Sequence, residues 1–291
     1  MTMPDFVIIG AAKCASTSLA AALSRHPGIF MPVHPTTNFF SRDDRYAQGL
    51  AVYQQRFEDA GPDQRVGEGT PQYSMAERFP DTVERMHRHL PDIQLIYIVR
   101  DPIRRMESLW SQDVQWGLKP GIVSFPQAVR ELADAYIAPS RYAQQLERYR
   151  ALYPDERIQV VFYEDFVRDP AAVAAGLFHF LGVDPEAAPG MADLHLNPSE
   201  KQRQDRPLVR RLRASRRFRR FYGRFKAAAP WLVQRIPAAL YRERFTQRVR
   251  WDAATYQWAR EQVEAEAREF LGRYGRSRDF WTFEPREPLV E

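Results

Sequence analysis

Five runs of strand length, Phe6–Ile9, Gly28–Met31, Arg65–Gly67, Gln94–Val99 and Ile158–Phe162, are separated by stretches of helical periodicity. Those stretches fall at about 17–25, 46–57, 76–89, 103–116, 125–135, 140–152 and 171–181. Parallel strands need crossover connections and bury both faces, so this alternation predicts a central parallel β-sheet flanked by helices. The expected fold class is α/β. Neither internal repeats nor a low-complexity linker interrupt the 291 residues, and we expect a single domain over 1–291.

The pattern changes after Gly182. Residues 183–207 are rich in Pro, Asp and Glu and read as a loop. From Arg206 to Lys226 there are ten Lys or Arg and no Asp or Glu, while the formal net charge of the whole chain is only +5. We expect 206–250 to be a basic, helical insertion within the domain, with Phe218, Phe221, Tyr222 and Phe225 as an apolar face. Its arginines suit an anionic membrane surface or an acidic acceptor; nucleic acid is not the expected partner. The plainer alternative packs the aromatics on the sheet and leaves the arginines wet. A last helix at about 252–274 ends at Gly275, giving a helical C-terminal region, and Phe280 and Trp281 are expected to seal the core.

A 44% hydrophobic share supplies a core. One cysteine, Cys14, rules out an intramolecular disulfide and a multi-cysteine metal site, and fits a reducing compartment. No basic and apolar leader precedes Phe6, and no apolar run approaches the roughly 18 to 20 residues that span a bilayer. The expected location is cytoplasmic.

Two strand ends carry the chemistry. The first apolar run breaks at Gly10 and continues as Ala11-Ala12-Lys13-Cys14-Ala15 into a helix that opens with Ser16-Thr17-Ser18. Free N–H groups at a helix start, hydroxyls beside them and one ammonium make an anion site. The loop is not a Walker A sequence: Lys13 follows Gly10 by three residues, and Ala15 stands where a second glycine belongs. No second strand ends in an obvious carboxylate for Mg²⁺. A P-loop-like, nucleotide-dependent kinase is therefore the minor alternative. The second motif is Val99-Arg100-Asp101-Pro102, where Asp suits an N-cap and Pro the first helical position. Arg100 offers a planar fork for phosphate, and Ser108, two turns on, a hydroxyl. Open α/β sheets bind ligands at the carboxyl ends of their strands, where both Lys13 and Arg100 fall.

Together these motifs resemble the nucleotide-binding elements of sulfotransferases that use 3′-phosphoadenosine 5′-phosphosulfate, especially the heparan-sulfate-type and related bacterial enzymes. Ala12–Ser18 looks like the 5′-phosphosulfate loop, and Arg100, Arg105 and Ser108 like the 3′-phosphate motif. The likeness continues through His26-Pro27, Asn38–Ser41, Gly67–Pro71, Ser140–Tyr142, Tyr163–Asp165 and Gly275–Trp281. It implies a P-loop-like domain and in-line sulfuryl transfer to an acceptor hydroxyl or amine on a carbohydrate, lipid or small natural product, with no metal required. Lys13 would neutralise the leaving phosphate oxygen, with Cys14, Ser16, Thr17 and Ser18 lining the loop. The segment Asn197–Arg203 resembles a late loop over the nucleotide, which makes Lys201 and Arg203 candidate donor contacts.

The resemblance fails at the base. Where the family places a glutamate before its Phe-Phe pair, this chain has Thr36, and Gly69 stands where the heparan-type relatives carry Lys. His34 or Glu68 could take the proton, or the acceptor needs little deprotonation. A catalytically weak protein of the same fold, binding anionic partners through its basic segment, is the remaining alternative.

Overall fold

The first predicted run becomes the centre of the sheet. The computed structural model describes residues 2–116, 121–188, 203–205, 242–244 and 249–289. Strands β1 (Phe6–Gly10), β2 (Ile29–Phe30), β3 (Arg65–Gly69), β4 (Gln94–Val99) and β5 (Ile158–Phe162) lie in the order β2-β3-β1-β4-β5. Every neighbouring pair is parallel, with Phe6 opposite Gly67 on one side and Gln94 on the other. Phe6, Val7, Ile8 and Ile9 have no exposed surface, nor do Leu95 to Val99. Such continuous apolar strands belong inside a sheet covered on both faces. The edges are a two-residue strand and β5, which is half-buried at Ile158 and Gln159.

The helices are α1 (Ser16–Leu23), α2 (Asp43–Tyr46), α3 (Leu50–Gln54), α4 (Thr82–His89), α5 (Pro102–Trp116) and α6 (Phe125–Glu131). They continue as α7 (Ala133–Tyr136), α8 (Tyr142–Arg150), α9 (Tyr163–Arg168), α10 (Pro170–Leu181) and α11 (Ala253–Arg273). Their ends follow local chemistry. Asp169 and Asp252 cap α10 and α11 through the N–H groups of Ala172 and Thr255, at 2.9 and 2.7 Å. Gly182 and Gly275 stop the same two helices at φ +72° and +66°.

Three predicted helices are shorter or broken. The stretch 46–57 divides at Gly49, whose φ of +83° starts α3 afresh. The stretch 76–89 is helical only from Thr82, because Pro80 disfavours helix before it. The stretch 125–135 breaks at Leu132, φ −117° and ψ 43°. The insertion expected over 206–250 falls almost wholly outside the described residues. Its described part is not helix: β7 (Arg242–Arg244) pairs antiparallel with β6 (Arg203–Asp205), which lies beside α5. Among the described residues no helix is long and apolar enough to cross a membrane.

Strand order fixes where a ligand can bind. From β1 the chain turns toward β2, and from β4 toward β5, so the loops after these adjacent strands diverge. That divergence opens a crevice at their carboxyl ends, between residues 11–15 and residues 100–101. Close approach of β3 to β1 requires Gly67, since a Cβ there would lie 2.3 Å from the Phe6 ring.

A candidate anion-binding active site

The loop after β1 is held in a conformation few residues adopt. Gly10 has φ +152°, and a Cβ on it would sit 2.0 Å from Ser74 Oγ. Lys13 and Ala15 are left-handed at φ +73° and +71°, a conformation worth roughly 1–2 kcal/mol of strain per non-glycine residue. Strain of this kind persists where surrounding contacts over-determine the backbone. Here the Ala11 N–H donates to the Ile98 carbonyl at 2.6 Å and the Cys14 N–H to the Ala11 carbonyl at 3.2 Å. The turn delivers the chain to α1 with Ala15 at the N-cap, no capping side chain and no acid in the first turn. The first intrahelical donor is the Leu19 N–H, to Ala15 O at 2.9 Å. The helix therefore presents the positive end of its dipole without a carboxylate against it.

Around this helix start the predicted residues divide. Lys13 and Ala12 are half-buried, Thr17 is exposed, and Ser16 and Ser18 are buried. Burial, and then the Arg100 guanidinium, pull the Lys13 ammonium down to about 8. Two cations that destabilise one another make a site that gains from an anion. Cys14 has its thiol turned into the core rather than toward this crevice. Its side chain is fully buried beside the Tyr142 hydroxyl, 3.9 Å away, and burial pushes the thiol up to about 12.

Arg100 closes the other side of the crevice. Its guanidinium lies 4.2 Å from the centroid of the Tyr163 ring and takes no carboxylate among the described residues. The Tyr142 hydroxyl donates to the Arg100 carbonyl at 2.6 Å. Tyr142 opens α8, whose start is capped from α11: Glu266 accepts the N–H groups of Ala143 and Gln144. Asp101 Oδ1 accepts the N–H groups of Ile103 and Arg104 at 2.9 and 3.2 Å, so it is the N-cap its sequence promised. Ser108 sits two turns along α5 and is buried. Arg105 is placed differently from Arg100. It has no exposed surface and donates to Ser140 Oγ and to the carbonyls of Tyr136, Ala135 and Ala12, at 2.7, 2.6, 3.1 and 3.4 Å. It is a buried cation beneath the loop, holding Ala12 in place.

The β3 end is walled by hydroxyls. Glu68 is completely buried; its Oε1 accepts Thr37, Thr70 and Tyr73 hydroxyls at 2.5, 2.6 and 2.8 Å, and its Oε2 the Tyr53 hydroxyl at 2.5 Å. Burial raises its carboxyl, while these four donors oppose the rise. Tyr53 also stacks on Phe39, centroids 4.5 Å apart, so the carboxylate ties the 37–40 loop to β3. This placement corrects the expectation that Glu68 faces the cleft: both oxygens are occupied inside the cage. Thr36 is exposed and donates to the Gly69 carbonyl at 2.8 Å, and His34 is exposed with its own carbonyl bound by Arg56 at 2.7 Å.

A family model described as "Sulfotransferase domain" matches residues 3–205. The chain belongs to the sulfotransferase family. Heparan sulfate glucosamine 3-O-sulfotransferase 5 of Mus musculus is 24% identical over 192 residues, covering 63% of this chain and 54% of the relative. Heparan sulfate glucosamine 3-O-sulfotransferase 6 of Homo sapiens is 29% identical over 187 residues, covering 62% and 52%. The chain thus spans about half the length of these curated relatives. Among solved structures, a sulfotransferase from Alicyclobacillus acidocaldarius superposes with a TM-score of 0.60 at 25% identity, over 82% of this chain and 99% of that one.

Within the sulfotransferase, several segments singled out in the sequence turn out to be struts. His26 accepts the Gly28 N–H at Nδ1, 3.0 Å, and meets the Asp184 carbonyl with Nε2 at 2.7 Å, locking α1 to the turn after α10. Trp281 and Phe283 are buried, while Phe280 is half-buried. Lys201 lies outside the described residues; Arg203 falls in β6, beside α5. Sequence reasoning missed Tyr53 and Tyr73 as cage donors and Glu266 as a cap, because each reaches its partner from a different element and none stands in a motif of its own.

Proposed function

We propose that this sulfotransferase moves a sulfuryl group from 3′-phosphoadenosine 5′-phosphosulfate directly onto an acceptor hydroxyl or amine. One observation carries the reading. Lys13, whose ammonium burial and Arg100 disfavour more than Asp113 supports, and Arg100, which takes no carboxylate among the described residues, flank the uncapped start of α1 at the diverging ends of β1 and β4. That arrangement fits a ligand with two separate anionic groups. When bound, the donor supplies a sulfur whose bond to the bridging phosphate oxygen breaks as the acceptor oxygen or nitrogen attaches.

This chain's residues have the following roles in that transfer. The Lys13 ammonium meets the charge developing on the bridging oxygen, and the first N–H groups of α1, with the Ser16, Thr17 and Ser18 hydroxyls, hold the 5′-phosphate. Arg100 and Ser108 take the 3′-phosphate and so discriminate against ATP, which has none. Arg105 stays beneath the loop and contributes positive potential without touching the ligand. With Glu68 enclosed, His34 is the exposed imidazole of the β2–β3 connection, and we assign it the acceptor proton. The acceptor proposed is a carbohydrate, lipid or small natural product that does not require the lysine replaced by Gly69.

Calorimetric titration with adenosine 3′,5′-bisphosphate tests the donor half of this reading. Wild type binds the bisphosphate, and Arg100→Ala, which removes a bidentate phosphate contact, weakens it by about 2 kcal/mol, roughly 30-fold. Binding of ATP–Mg²⁺ in place of the bisphosphate, unaffected by Arg100→Ala, would move the reading to phosphoryl transfer.

A further inference from the structure

Two buried carboxylates bracket the Arg100–Ser108 segment, and both also hold residues 283–286. Asp101, having capped α5 with Oδ1, accepts the Phe283 N–H with Oδ2 at 2.9 Å, while its own N–H donates to Glu164 Oε1 at 3.0 Å. Glu107 is 2% exposed. Its Oε1 accepts the Trp251 indole N–H at 3.1 Å and the Arg286 backbone N–H at 3.0 Å. Its Oε2 lies 3.4 Å from Arg104 Nη1 and 3.9 Å from Arg286 Nε. Between these anchors Phe283 has no exposed surface, its carbonyl accepts the Tyr256 hydroxyl at 2.8 Å, and the Arg268 guanidinium lies 5.0 Å from its ring centroid. The segment after α11 is therefore a strap across α5, fastened at both ends of the first helical turns.

Helical spacing separates the grip of Glu107 from the ligand's. Residues 105 and 108 share one face of α5, while 104, 107 and 111 share the next. A carboxylate buried at 107 is poorer packing than an apolar side chain unless it fixes geometry through its partners. Glu107 makes four such contacts to three residues, Arg104 on its own helix and Trp251 and Arg286 from beyond it. Resting on the donor reading above, we propose that Glu107 is a positioning residue for 3′-phosphate recognition, clamping the 283–286 strap onto α5 so that Arg100 and Ser108 keep their mutual geometry.

The test compares two nucleotides on the full chain: adenosine 3′,5′-bisphosphate and adenosine 5′-phosphosulfate, which lacks the 3′-phosphate. Glu107→Ala and Arg286→Pro, the latter removing the strap's N–H from a partly exposed position, both weaken the bisphosphate about tenfold. Affinity for the phosphosulfate stays within about twofold. Glu107→Gln, which keeps an acceptor oxygen, recovers most of the preference. Equal loss on both nucleotides, or an unchanged preference in folded Arg286→Pro, overturns the proposal. Arg286→Pro decides the matter if Glu107→Ala fails to fold. Wild type with no preference for the bisphosphate would overturn the donor reading itself and the strap's role with it.

Discussion

Lys13→Met lowers kcat for sulfuryl transfer by about 10²–10³-fold, the usual effect of removing one oriented donor from a developing oxyanion. The chain keeps its fold, because Lys13 packs no core: it is half-buried within a strained loop whose shape is set by Gly10, Ala11 and Cys14. The pH dependence carries a second signature. Burial and Arg100 bring the free ammonium down to about 8, so in wild type kcat/KM falls as pH rises through 8 and the charge is lost. Bound donor stabilises the ammonium, which moves the corresponding limb of kcat to higher pH. In Lys13→Met both limbs disappear. A pH–rate profile that keeps its alkaline limb at 8 in the methionine variant would assign that limb to another group.

Glu68→Ala acts on stability first. Removing the carboxylate leaves the Thr37, Thr70, Tyr53 and Tyr73 hydroxyls without their shared acceptor in a cage buried everywhere but at Thr37. Unsatisfied buried donors cost about 1–3 kcal/mol each, but the Thr37 and Tyr73 hydroxyls can still bond to one another, 3.1 Å apart. A net loss of about 4 kcal/mol is expected, which lowers Tm by roughly 7 °C for a chain of this size. Glu68→Gln, retaining one acceptor oxygen, loses about half as much. Thermal melts measure the loss, and the rate per folded molecule separates cage from base. A Glu68→Gln variant that melts like wild type but transfers sulfate 10³-fold more slowly, as loss of a general base would, would return the proton to Glu68.

The sheet was readable because its strands are either apolar throughout, as in Phe6–Ile9 and Leu95–Val99, or end in residues with local meaning. Asp101-Pro102 announced the start of α5, and Gly275 the end of α11. Proline and glycine acting across a few residues also explain the errors: Gly49 and Pro80 divide or delay helices that apolar periodicity alone had extended. That Lys13 and Arg100 fall at neighbouring strand ends could be read from type and spacing, since strand ends and helix starts are marked in the local sequence. Glu68 shows what is lost without coordinates. Its position at a strand end is visible, but whether it faces a cleft or a cage depends on Tyr53 and Tyr73, whose rings arrive from other elements. Arg105 is the same case in reverse. Its place in the motif beside Arg100 is visible, but not that it reaches inward to four oxygens, three of them on the 135–140 segment that passes beneath it.

On the proposed reading one crevice holds both phosphates of the donor, which a crystal structure with adenosine 3′,5′-bisphosphate would show. The 5′-phosphate is expected on Lys13 and the first N–H groups of α1, and the 3′-phosphate on Arg100 and Ser108. A bisphosphate bound away from the β1 and β4 ends, or one whose 3′-phosphate touches neither Arg100 nor Ser108, would contradict the account.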